Sequence, residues 1–107
     1  MELTFETDDI RDATMDKNVA RRVMAQDKAE FLFSLVADLK DAMFVGELAD
    51  DPQVMQTNRG MRLRYPFASG YDLELEPIMG RPAEDGLWRE AHRVKLLHIL
   101  HDGAVLI

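Results

Sequence analysis

Two runs of strict alternation, separated by a short turn, constrain this chain most. Met61, Leu63 and Tyr65 alternate with Arg62 and Arg64, and Tyr71, Leu73 and Leu75 alternate with Asp72, Glu74 and Glu76. Residues two apart on a strand share a face, so each run builds a strand with one apolar and one charged side. Between them Pro66-Phe67-Ala68-Ser69-Gly70 turns the chain, which predicts an antiparallel hairpin. On its charged face the arginines of one strand meet the carboxylates of the next, a pairing that stabilises modestly. The apolar face needs a cover, and the rest of the chain must supply it.

That cover is legible on the N-terminal side. Leu3 and Phe5 alternate with Glu2, Thr4 and Glu6, as in a half-buried opening strand. Thr7-Asp8-Asp9 offers caps for a short helix carrying Ile10, Ala13 and Met15, and Asp16 is a second cap before Val19, Ala20, Val23 and Met24. From about Asp27 the helical spacing strengthens through Ala29, Leu32, Leu35, Val36, Leu39, Ala42 and Met43. Asp38, Lys40 and Asp41 lie off that stripe, so this is an amphipathic helix facing a sheet. Met15, Met24 and Met43 are expected as pliable core filler. Gly46 weakens the helix and Asp50-Asp51-Pro52 ends it, after which residues 53–60 are polar and close on the turn signal Asn58-Arg59-Gly60.

Beyond the hairpin, residues 78–92 contain Gly80, Pro82 and Gly86 and read as a loop. Residues 94–100 form a nearly continuous apolar run broken only by Lys95 and His98, as in a strand covered on both faces. Gly103 then turns the chain into a short final strand over 104–107. The expected fold is α+β, in the order β-α-α-β-β-β, with an antiparallel sheet and two N-terminal helices on one side. A length of 107 residues suits one domain, 1–107, with one modest core.

Composition narrows the function classes. No apolar run reaches the roughly 18 residues of a membrane span, and the N-terminus lacks the basic and apolar regions of a signal peptide. Without cysteine there are no disulfides and no thiolate metal sites, which suits a cytoplasmic protein. The balance of 13 basic against 20 acidic side chains gives a formal charge of −7. Proteins that grip RNA usually carry a basic footprint, so RNA binding here requires a local basic patch.

The chemistry-bearing residues are few. His98, His101 and Asp102 form the best catalytic cluster, because an imidazole near neutral pKa moves protons and a carboxylate can orient it. The two histidines have opposite parity on a strand, so they share a pocket only if the strand ends or bulges between them. The bland alternative is one core and one surface histidine. Arg59, Arg62, Arg64 and Arg93 offer a phosphate-binding face, or else an ordinary sheet surface ion-paired to Asp72, Glu74 and Glu76. His92, His98 and His101 with Glu90 do not have strand-compatible metal-ligand spacing, so neither a metal nor another cofactor is expected. Trp88 with Leu87 either stacks a base or plugs the core. There is no Gly-rich phosphate loop and no serine or cysteine nucleophile motif.

Several of these segments together resemble a known family. Residues 29–42 look like its long helix. Gly70-Tyr71 with Leu73-x-Leu75-Glu76-Pro77 looks like its Gly-Tyr-Arg-Leu-x-Phe-Glu-Pro strand, Asp85-Gly86-Leu87-Trp88 like its Asp-Gly-x-x-Asp-Trp segment, and residues 94–99 like its last strand. In this order they resemble the plasmid-maintenance killer toxins, the HigB-like branch of the RelE superfamily. The resemblance implies a toxin of a toxin–antitoxin pair that cuts ribosome-bound mRNA, with a helix-turn-helix antitoxin as partner and no membrane association. It implies His101 or His98 as acid/base, Asp102 as orienter and Arg59, Arg62 and Arg64 as phosphate clamps. The chain departs from the family at polar positions: Asp72 stands where the family has Arg, and His101-Asp102-Gly103 stands at its closing Asp-Tyr-His. The alternative expectation is therefore a catalytically inactive RelE-like module that binds protein.

Overall fold

The hairpin at residues 61–76 lies at the centre of the sheet. In the computed structural model, which describes residues 1–79 and 86–107, its strands are β3 (Gly60–Ala68) and β4 (Tyr71–Pro77). The other strands among the described residues are β1 (Glu2–Phe5), β2 (Gln53–Thr57), β5 (Arg93–His101) and β6 (Ala104–Val105). The order across the sheet is β1-β5-β4-β3-β2, with β6 folded back on the far half of β5. Three helices, α1 (Asp8–Met15), α2 (Lys17–Val23) and α3 (Gln26–Asp41), lie between β1 and β2 in the chain. The architecture is α+β.

The N-terminal region contains three helices where two were expected, and Asp16 is the reason. Its extended backbone interrupts the helix, its N–H closes α1 on the Asp12 carbonyl, and its carboxylate accepts the Asn18 N–H at 2.9 Å to start α2. At the start of α1, Thr7 Oγ1 accepts the Ile10 N–H, with Asp8 and Asp9 in the first turn favourably placed for the helix dipole. Met15, expected inside, is exposed; Thr14 is buried instead and donates to the Ile10 carbonyl at 2.8 Å. Met43 is also exposed, because α3 ends at Asp41 before the stripe can reach it. Met24 alone of the three packs in the core.

The sheet is not wholly antiparallel. β1 runs parallel to β5, pairing Leu3 with Val94 and Phe5 with Leu96. A parallel pair requires a long crossover, and nearly the whole chain intervenes here. The polar stretch at 53–57 is a strand because its backbone pairs with β3, from Gln53 opposite Arg64 to Thr57 opposite Gly60. Four of its five side chains are exposed on the sheet edge, so no apolar period marks it. β3 continues past Pro66 through a bulge to Ala68, confining the turn to Ser69-Gly70, where Gly70 has φ +79°. The final strand is limited to Ala104–Val105.

Ala29, Leu32, Val36 and Leu39 of α3 join Leu63, Leu73, Leu75, Val94, Leu96 and Ile99 of the sheet in one core. Each fully buried leucine contributes about 1.5–3 kcal/mol. Within the segment expected as a loop, Leu87–Glu90 forms a 3-10 turn that carries Trp88 into this core. The Arg89 guanidinium carbon sits 4.3 Å from the Trp88 ring centroid, and Arg89 reaches Asp51 at 2.9 Å. Residues 80–85, including Asp85 of the Asp-Gly-Leu-Trp segment, lie outside the described residues.

Candidate functional site on the open face of the sheet

The helices cover one face of the sheet, and the other carries the charged residues of the hairpin. A bulge in β5 decides which residues of that strand join them. Leu75 pairs with Leu96 but Glu74 pairs with His98, so Leu97 is the extra residue. Before the bulge Val94 and Leu96 face the core and Lys95 faces out; after it Ile99 faces the core and His98 faces out. An unbroken strand would have turned His98 inward, and the single inserted residue reverses it.

The result is two cross-strand rows. Arg64 on β3, Glu74 on β4 and His98 on β5 are successive partners, and Arg62 and Glu76 lie one step along with Lys95 opposite Glu76. They line a cleft of about 640 Å³ together with Glu6, Met55, Thr57, Asn58, Arg59 and Leu97. The turn between β2 and β3 places Arg59 at its rim. In a chain of formal charge −7, this cleft gathers four cationic side chains against three carboxylates, and His98 besides.

Most of these charges are paired. Arg64 Nε donates to Glu74 Oε2 at 2.8 Å, Arg62 lies 3.5 Å from Glu76, and Lys95 lies 3.2 Å from Glu6. The Arg64–Glu74 pair is the most sheltered, with side chains 25% and 12% exposed. Arg59 makes no ion pair among the described residues. His98 Nδ1 lies 3.2 Å from the main-chain oxygen of Ile107. That oxygen can only accept, so a hydrogen bond there requires the hydrogen on Nδ1 and does not involve Nε2.

The structure brings together His98, Arg59, Arg62 and Arg64, and separates them from the other expected residues. His101 lies at the end of β5 with parity opposite to His98 and stacks on Tyr71, with ring centroids 4.2 Å apart. Asp102 follows in the turn to β6, with φ 50° and its carboxylate 3.6 Å from His101 Nε2. The bulge lies before His98, not between the two histidines, so the His98–His101–Asp102 cluster does not assemble. Arg93 pairs with Glu2 at 3.2 Å and lies outside the cleft lining. Lys95 and Glu74 belong to the site although sequence reasoning treated one as a break in an apolar run and the other as a surface counter-ion. The signal that finds them is the register of the hairpin against β5.

A second concavity, lined by Phe44, Gly46, Met79, Arg89 and His92, is largely apolar and lies near the 3-10 turn that carries Trp88. No helix among the described residues is long and apolar enough to cross a membrane. No family model matches this chain, and comparisons with curated proteins and with solved structures gave no match.

Proposed function

We propose that this chain is a RelE-like, HigB-type toxin whose open-face cleft binds and cuts ribosome-bound mRNA in the cytoplasm. One observation carries the proposal: His98 shares a single cleft with Arg59, Arg62, Arg64 and Lys95 in a protein that is otherwise acidic. RNA cleavage needs cations around the phosphate as its charge develops, and a group that moves protons to and from the reacting oxygens. The cleft supplies both kinds. The arginines are the phosphate clamps and His98, not His101, is the acid/base. An opening strand, helices ending in a long one, and the antiparallel strands β3, β4 and β5 support the RelE-like reading of the fold. The same resemblance assigns the protein a helix-turn-helix antitoxin as partner.

The Arg62–Glu76 and Arg64–Glu74 pairs favour a second reading, in which the fold persists as a protein-binding module without chemistry. Carboxylates in the positions that phosphates would approach compete with RNA for the same guanidinium groups. Induced expression separates the two readings. A toxin arrests growth and leaves cut mRNA, and His98→Ala abolishes both effects; a wild-type chain that leaves growth and mRNA intact establishes the inert module.

A further inference from the structure

β2 is an edge of the sheet, and among the described residues no strand pairs with its outer side. Exposed edges are templates for further pairing, and proteins usually guard them with charges, proline or a bulge. Gln53-Val54-Met55-Gln56-Thr57 carries none of these, although 31% of the chain is charged. In a hairpin with a two-residue turn the closing pair, here Thr57 and Gly60, exchanges backbone hydrogen bonds. Alternation along β2 then turns the N–H and C=O of Val54 and Gln56 outward. The Val54 side chain is also 42% exposed. At the two ends of the strand stand opposite charges: Asp51, 74% exposed, and Arg59, which has no ion pair among the described residues.

We infer that β2 pairs antiparallel with β2 of a second copy of this chain, about a two-fold axis through Met55. In this register Met55 faces Met55, Gln53 faces Thr57, and Val54 exchanges both backbone hydrogen bonds with Gln56 of the other copy. Keeping the open faces on one side allows slips of two residues only. One slip sets Pro52, which has no N–H, against Gln56, and the other runs Val54 into the turn at Asn58. The register that uses the whole strand also brings Asp51 of each copy across from Arg59 of the other. Two copies of formal charge −7 repel, but physiological salt screens charges beyond about 8 Å, so these contacts at the seam decide. On the open face the row Lys95–Glu76–Arg62–Met55 runs on through its symmetric copy. Two clefts then open on the same side of one continuous sheet, with the Met55 pair between them. An edge of five residues is small beside the roughly 1,200–2,000 Å² of a standard interface, so the dimer dissociates on dilution. The pairing is independent of what the cleft binds.

Sedimentation equilibrium of the full chain at concentrations up to about 1 mM tests the pairing. The wild type should pass from one chain to two as concentration rises. Val54→Pro removes an outward N–H without touching the bonds to β3, and should raise the dimer dissociation constant by about 10-fold or more. Asp51→Arg and Arg59→Asp each set like charges against one another at both ends of the seam, and should weaken self-association as much. Mixed with each other, these two variants regain opposite charges at both ends and should form a heterodimer as tight as the wild-type dimer. A wild type that stays a single chain throughout overturns the proposal, as does a dimer that Val54→Pro leaves unchanged. Charge variants that lose the dimer separately and do not recover it together overturn the register. If thermal denaturation shows Val54→Pro to be unfolded, Val54→Lys decides: an undiminished dimer overturns the edge pairing, and a weakened one supports it.

Discussion

Tyr71 and His101 stack face to face across β4 and β5, their ring centroids 4.2 Å apart and their planes 7° from parallel. Phe67 extends the group, 5.7 Å from Tyr71. The stack gives His101 a structural role on the face of the sheet opposite His98. His101→Ala should therefore lower stability by about 0.5–1.5 kcal/mol in thermal unfolding and leave RNA cleavage intact. His98→Ala should do the reverse. Loss of cleavage in a folded His101→Ala variant would return the acid/base role to His101.

Gly70 and Asp102 meet where two turns pack together. The Asp102 N–H donates to the Gly70 carbonyl at 2.8 Å, and a Cβ on Gly70 would sit 2.7 Å from Asp102 Oδ1. Gly70 also has φ +79°, a conformation that costs a residue with a side chain about 1–2 kcal/mol. Gly70→Ala should exceed that cost because of the collision. Adding Asp102→Ala should recover the excess and leave the backbone cost, a coupling that a double-mutant cycle of denaturant melts would measure.

Tyr65 is buried at 2% exposure, and its hydroxyl has no hydrogen-bond partner among the described residues. Tyr65→Phe removes this unsatisfied group and should stabilise the fold by about 1 kcal/mol at neutral pH. Burial pushes the phenol well above its ordinary 10.0, the Asp51 charge adds to the rise, and the Arg89 guanidinium opposes it. Above pH 10 the unfolded chain loses this proton while the folded chain keeps it, so stability falls as pH rises past the unfolded value. Thermal melts at increasing alkaline pH should show a steeper loss for wild type than for Tyr65→Phe.

Trp88 is the only tryptophan, 5% exposed, and it ties the 3-10 turn to the core beneath Arg89. Trp88→Ala should cost about 3–5 kcal/mol in denaturant unfolding. Trp88→Phe keeps much of the apolar bulk and should cost less. A cost below about 1 kcal/mol for the alanine would show that the turn docks weakly.

The core and the site differ in how far they could be read from residues alone. Leu63, Tyr65, Leu73 and Leu75 declare their face by alternation, and Leu32, Val36 and Leu39 by helical spacing, because burial repeats with the geometry of the element. The edge strand at 53–57 gave no such signal, since its pairing is made by backbone and its side chains face solvent. Thr14 was missed and Met15 overvalued because a threonine that returns its hydroxyl to the preceding helical turn can be buried at little cost.

The sequence by itself determined the α+β class, the amphipathic α3, the two-faced hairpin and the arginines on its charged side, all of which depend on near-neighbour periodicity. Only the tertiary structure decided which charges share a cleft. The extra residue at Leu97 turns His98 outward, and the register of β5 on β4 sets Glu74 beside it and Lys95 beside Glu76. A one-residue insertion in a strand reverses the face of everything after it, and such an insertion is defined by the partner strand. Nothing within the run Val94-Lys95-Leu96-Leu97-His98-Ile99 marks where the partner skips a residue.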